Sequence, residues 1–207
     1  MANLQDILAT GLRELAIPAS EAQQQAMLDY VALLHKWNRA YNLTAIRDQA
    51  NMVRRHLLDS LAVLPWVEDK PTLDVGTGAG LPGIVLAIMR PEQSFILLDS
   101  NGKKTRFVRQ AVLELKLPNV EVVQSRIQDF AKPVPQVIAR AFAALPEMLT
   151  LLAHVLPPEG RLLAMKAAQA EKEIEQAPQG WLFDTVKLRV PGVHEHRELV
   201  IAQSAST

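Results

Sequence analysis

The sequence predicts an α/β fold in which a mostly parallel sheet ends in an antiparallel hairpin and is preceded by a small helical domain, with residues 1–66 helical and 67–207 forming the sheet domain. Three observations predict it. Apolar residues recur at helical spacing through the first third. After Pro71, five short apolar runs alternate with helical stretches. Near the C-terminus, two further strand candidates are separated only by a loop containing Pro191-Gly192.

Leu4, Ile7, Leu8, Leu12 and Leu15 place a first helix, and Ser20 with Gln23 has the Ser-x-x-Gln spacing of a capping box opening a second, whose apolar face carries Met27, Tyr30, Val31 and Leu34. A third helix is expected from near Asp48 to about Trp66, with Val53, Leu57, Leu61 and Leu64 as its stripe. The runs at 72–75, 95–98, 120–123, 137–139 and 162–165 are short enough for buried strands, and their alternation with helical sequence implies right-handed βαβ units and a parallel sheet. No crossover helix fits between the candidates at 182–190 and 198–203, so these two should pair antiparallel. A nucleotide-binding parallel sheet closed by such a hairpin resembles the Rossmann-like sheet of the class I methyltransferases.

Composition narrows the chemistry. With 207 residues and a formal net charge of zero, the chain has the balance of an ordinary soluble globular protein and lacks the overall basicity of a dedicated nucleic-acid-binding domain. Basic residues are instead clustered: Lys36, Arg39, Arg47, Arg54 and Arg55 in one group, Lys103, Lys104, Arg106 and Arg109 in another. Either group could track phosphates or form a solvated helix face. The absence of cysteine excludes disulfides, thiolate metal sites and thiolate nucleophiles. No signal pattern or membrane-length apolar run is present, which points to a cytoplasmic location with no membrane partner.

The segment Asp74-Val75-Gly76-Thr77-Gly78-Ala79-Gly80-Leu81-Pro82-Gly83 leaves the first strand and opens a helix. Its glycines allow sharp turns and close ligand approach, and the helix start offers free amides, so Asp74, Gly76, Thr77, Gly78, Gly80 and Leu81 are candidate cofactor residues. Asp99 ends the second strand 23 positions after Gly76, where a carboxylate reaches ribose hydroxyls, with Ser100 beside it. That placement suits NAD equally. The acid-led loop spacing, the terminal hairpin and the helical segment before the loop favour S-adenosylmethionine. After the third strand, the polar and amide groups of Ile127, Gln128 and Asp129 are placed to meet an adenine or simply to open a helix.

The residues after the fourth strand narrow the acceptor. Methyltransferases acting on exocyclic amines usually carry Asn/Asp-Pro-Pro-aromatic there, whereas this chain has Ile138-Ala139-Arg140-Ala141-Phe142-Ala143. Attack through pyrimidine C5 ordinarily needs the missing cysteine. Ribose methylation stays open, with Lys166 as a participant. A ring nitrogen such as guanine N7 has an in-plane lone pair and no proton to remove, so alignment and electrostatics suffice. Arg140 and Lys166 end neighbouring strands and are candidates for positioning cofactor or acceptor, or for pairing with carboxylates at the sheet edge. His56 has the surroundings of a satisfied core histidine, and Trp37 and Tyr41 those of either interdomain packing or a stacking platform.

Together, residues 35–44 (His-Lys-Trp-Asn-Arg-Ala-Tyr-Asn-Leu-Thr), Arg55-His56-Leu57-Leu58-Asp59-Ser60, the 74–83 loop, Leu98-Asp99-Ser100, Ser125-Arg126, Arg140-Ala141-Phe142 and Lys166 resemble the bacterial 16S ribosomal RNA guanine-N7 methyltransferases, also called glucose-inhibited division protein B. The resemblance covers nearly the whole chain. It implies methyl transfer from S-adenosylmethionine to a guanine N7 in the 530 loop of 16S rRNA, free or in the small ribosomal subunit, without a metal. It further implies cofactor contacts from Gly76, Leu81, Ile127, Gln128 and Arg140, with Asp99 on the ribose. Read physically, the 37–44 segment ends a helix with aromatic and amide groups, so Tyr41 and Asn42 are candidates to line the acceptor site by stacking and hydrogen bonding. Ala79 and Gln128 stand where relatives often have Pro and Glu. Two other functions are compatible with these residues: RNA methylation at another atom, and a non-catalytic rRNA-binding assembly factor.

Overall fold

The computed structural model of the chain describes residues 3–167 and 170–205. Two helices open it, α1 (Leu4–Glu14) and α2 (Glu21–Tyr41), and the expected capping box is present in both directions between Ser20 and Gln23. The expected third helix is not uniform. α3 (Gln49–Met52) runs into a π-helical segment (Val53–Leu58), then α4 (Asp59–Leu61), and a 3-10 turn (Leu64–Trp66) finishes it. The widened turn holds Arg55 and His56, both of which line a cavity, and π-bulges are frequent at such sites.

The described residues form one seven-stranded sheet in the order β3-β2-β1-β4-β5-β7-β6. β1 (Thr72–Val75), β2 (Phe95–Asp99), β3 (Val120–Gln124), β4 (Gln136–Arg140) and β5 (Arg161–Lys166) are parallel; β7 (Glu198–Ser204) pairs antiparallel with β5 and with β6 (Trp181–Lys187). β6 ends before the expected position because the chain leaves the ladder toward Pro191-Gly192. The order reverses between β1 and β4, and ligands of open α/β sheets bind at the carboxyl ends of strands at such a point.

Strand alternation sends Leu73, Val75, Val137 and Ala139 into one apolar cluster with α7 (Leu145–Leu152), and Leu97, Ile138 and Leu163 into another. The second cluster also contains Leu8, Met27 and Leu34 from the first helices, Ile84 and Leu86 from α5 (Gly83–Met89), and Phe107 from α6 (Gly102–Glu114). Helices α1 to α4 therefore share their core with one face of the sheet. All seven residues of α5 are buried, because it lies between the sheet and those helices. A short helix, α8 (Ala170–Glu175), precedes the terminal hairpin. Among the described residues, no helix is long and apolar enough to cross a membrane.

Candidate functional site

Two cavities meet at the carboxyl edge of the sheet. One, of about 430 Å³, is lined by Gly76, Asp99, Ser100, Ile127, Gln128 and Phe142 among others; its neighbour, of about 440 Å³, is lined by Arg55, His56, Asp59, Arg140, Lys166 and Arg197 among others. Both volumes fall in the roughly 300–1,000 Å³ range of small-molecule sites. Ala141 lines both. It has φ 50, a left-handed conformation that costs a non-glycine residue on the order of 1–3 kcal/mol, and this turn sends Arg140 into one cavity and Phe142 into the other.

The 74–83 loop is organised from behind. Asp74 is fully buried, and its Oδ2 accepts from the Thr77 hydroxyl at 2.7 Å and from the Gly83 amide at 2.8 Å, while Oδ1 has no partner among the described residues. Burial pushes its carboxyl up to about 7, with the two hydrogen bonds and Arg140 opposing the rise. A Cβ on Gly83 would stand 2.7 Å from that carboxylate, so glycine permits the close packing. Tyr30, buried on α2, donates its hydroxyl to the Ala79 carbonyl at 2.9 Å, tying the helical layer to the loop.

Several of the candidates sit behind the loop. Asp74 and Thr77 are 0% and 2% exposed, line neither cavity and shape the loop. Gly80 and Leu81 are likewise turned inward, their amides donating to the Thr77 carbonyl. Gly78 donates its amide to Asp99 Oδ2 at 2.9 Å and stands outside the lining. Of the loop candidates, Gly76 alone lines the first cavity, where φ +64 and a Cβ position 2.4 Å from the Phe142 ring leave room only for glycine.

Asp99, Ser100, Ile127 and Gln128 come together with Gly76 in the lining of the first cavity, joined by Lys104, Arg126 and Phe142. Asp99 Oδ1 accepts from the Asn101 amide at 2.8 Å, so the carboxylate is fixed by two backbone donors with lone pairs to spare. Ile127 and Gln128 open a 3-10 turn (Ile127–Asp129), where amides lack intrahelical acceptors. His154 donates Nε2–H to the carbonyls of Ile127 and Phe130 at 3.1 and 3.0 Å and holds that turn in place.

Arg140 lies in the second cavity, not among the residues of the first. Its Nη1 donates to Asp59 Oδ2 at 3.2 Å, and Arg197 Nε donates to Asp59 Oδ1 at 3.0 Å. Lys166 donates to Glu173 at 2.7 Å and to the Ala143 carbonyl at 2.9 Å. Asn42 does not join them: it is the left-handed C-cap of α2, bonded to Arg47, and lines neither cavity. Trp37 stacks on Tyr41 and meets Phe107 edge-on, which is the packing role for both aromatics.

His56 is 6% exposed and bonded at both nitrogens. The Arg55 carbonyl can only accept, so Nδ1 carries the proton and Nε2 accepts from the Thr44 hydroxyl at 2.9 Å. Burial, reinforced by Arg140, lowers its pKa to about 4, and the ring is neutral near pH 7. Asp59 and Arg197 are absent from the residues that sequence alone assigns to the site. Asp59 carries only a motif signal, and Arg197 becomes visible only when the hairpin folds back over the π-helical segment.

The family model described as GidB, rRNA small subunit methyltransferase G, matches residues 23–201. The chain belongs to this family. It is 49% identical over 201 residues to the ribosomal RNA small subunit methyltransferase G of Marinobacter nauticus, covering 96% of this chain and 94% of that protein. It is 47% identical to the namesake of Stutzerimonas stutzeri, with 96% and 95% covered. A solved structure of a SAM-dependent methyltransferase from Aquifex aeolicus superposes with a TM-score of 0.56 at 24% identity, over 72% of this chain and 92% of that one, and carries the same fold. As a member of the rRNA small subunit methyltransferase G family, the chain is an S-adenosylmethionine-dependent methyltransferase with the class I sheet. The first cavity fits that cofactor chemically: a fixed carboxylate for hydroxyls, a glycine under Phe142, and free amides at Ile127 and Gln128 for a heterocycle edge.

Proposed function

We propose that the chain methylates N7 of a guanine in the 530 loop of 16S rRNA, with Gly76, Asp99, Ser100, Ile127 and Gln128 holding S-adenosylmethionine and the cavity of Arg140 and Lys166 receiving the acceptor. The observation that carries this reading is the pair of cavities divided by Ala141, one with nucleoside-binding chemistry and one lined by fixed charges. S-adenosylmethionine supplies an electrophilic methyl group when bound.

The chain's own residues then orient and exclude. Guanine N7 presents a lone pair and needs no base. A neutral His56 that spends both nitrogens on Thr44 and Arg55 is consistent with chemistry that removes no proton. Arg140 is anchored by Asp59 and by the Arg55 carbonyl at 3.4 Å, and Lys166 by Glu173, so both cations are preorganised and cannot swing freely into N7. The nucleophile is left open to the methyl group.

Purified protein incubated with isotopically labelled S-adenosylmethionine and either naked 16S rRNA or small subunits tests the reading. Nucleoside mass spectrometry should place the label in 7-methylguanosine from the 530 loop. Label in another nucleoside would move the acceptor atom, and binding without label in either substrate would support a scaffold role instead.

A further inference from the structure

We propose that Arg140 and Arg197, held on the single buried carboxylate of Asp59, form a seat for an RNA backbone phosphate beside the acceptor guanine. The inference rests on the acceptor being a nucleotide of rRNA.

Three separate elements build this cluster: Asp59 begins α4, Arg140 ends β4, and Arg197 immediately precedes β7. The carboxylate is 5% exposed, while the two arginine side chains are 22% and 21% exposed and line the second cavity. Elsewhere in that lining Arg55 is paired with Glu195 and Lys166 with Glu173, and the Glu198 carboxylate bonds the His196 ring at 2.6 Å. Two guanidiniums thus share one carboxylate at this point of the cavity, and the neutral His56 adds no charge.

The donors are also unevenly spent. Arg140 uses Nη1 on Asp59 and the Arg55 carbonyl; Arg197 uses Nε on Asp59 and Nη1 on the His196 carbonyl. Among the described residues, Nε and Nη2 of Arg140 and Nη2 of Arg197 make no hydrogen bond. Desolvating two cations on one anion is unfavourable unless a second anion completes the set. A phosphate does so, since the guanidinium fork matches its oxygens. The site adjoins Ala141, which also lines the proposed cofactor cavity, so a phosphate seated here would lie beside that cavity.

The test is the salt dependence of kcat/KM for methylation, on the rRNA substrate that the wild-type protein labels. Each phosphate contact on single-stranded RNA contributes about 0.7 to the slope of log kcat/KM against log salt. Arg197→Gln removes one positive charge from the seat and should flatten the slope by about that amount, with calorimetric affinity for S-adenosylmethionine unchanged. Asp59→Asn removes the buried negative charge that the two guanidiniums share and should steepen it. Opposite signs from two variants of one cluster are not produced by structural damage. Arg197→Lys keeps the charge without the fork and should keep the wild-type slope at a reduced rate, which preserves the test if Asp59→Asn does not fold. A slope in Arg197→Gln equal to wild type, or a flatter one in Asp59→Asn, overturns the seat even where rates fall. A wild-type protein that labels no rRNA overturns the methylation reading itself, an outcome distinct from an unchanged slope.

Discussion

Asp74 and His56 are buried ionisable groups on opposite sides of the same electrostatic problem. Asp74 is raised to about 7 by burial, so the folded state binds a proton that the unfolded chain releases near its ordinary value of 3.8; its contribution is fully present below that value and is lost as pH rises toward 7. His56 is lowered from 6.5 to about 4, so its contribution is present above 6.5 and is lost as pH falls toward 4. Between about pH 4 and 6.5 the two slopes oppose each other. Chemical denaturation across this range should therefore find Asp74→Asn gaining stability as pH rises and His56→Gln losing it, each by on the order of 1 kcal/mol per pH unit, around a flatter wild type. Parallel pH profiles for the two variants would contradict the assignment. At the proposed cofactor cavity, Asp99→Ala removes the acceptor that fixes Gly78 and Asn101 and that is proposed to meet the ribose. Its Kd for S-adenosylmethionine by calorimetry should rise roughly 10- to 100-fold, the loss of one or two charge-assisted hydrogen bonds.

Among the elements, the start of α2 carries more than a local cap. The Gln23 side chain accepts from the Ser20 amide through Oε1 and donates Nε2 to the carbonyls of Ile88 and Met89, at 3.2 and 3.4 Å, where α5 ends. Ser20→Ala should cost about 1 kcal/mol, the usual loss of a cap, whereas Gln23→Ala also strands two carbonyls and should cost about 1–2 kcal/mol more. Equal urea midpoints for the two variants would deny the link to α5. The capping box itself was legible, because its spacing is local. The link to α5 was not, since Ile88 lies 65 positions away. The π-helical segment was similarly invisible: its apolar residues satisfy helical spacing, and Thr44, Arg140 and Arg197 meet His56 and Asp59 only in the folded chain.

For the whole molecule, the division at residue 66 marks a change of sequence pattern but not a break in the core. Leu8, Met27, Tyr30 and Leu34 belong to the apolar cluster that holds Ile84, Val85 and Phe107, and the Tyr30 hydroxyl reaches the Ala79 carbonyl of the glycine loop. A fragment of residues 67–207 should thus be insoluble or aggregated by size-exclusion chromatography, because α5 would lose its cover on one side. A soluble, monomeric fragment that binds S-adenosylmethionine would establish an independent catalytic domain.

By itself, the sequence determined the strand and helix order, the parallel sheet with its antiparallel end, and the strand ends at which Asp99, Arg140 and Lys166 stand. Those features follow from periodicity and from turn residues acting over a few positions, so the local chain encodes them. Tertiary structure alone decided which of these residues share a cavity. It turned Asp74, Thr77, Gly80 and Leu81 into the loop's interior, left Asn42 as a cap, and divided the site at Ala141 so that Arg140 lines a different cavity from Asp99, Ile127 and Gln128. It also brought Asp59 and Arg197, 138 positions apart, onto one buried ion cluster. The physical reason is that side-chain direction depends on backbone angles set by packing, and charge pairing depends on which distant segments that packing brings together.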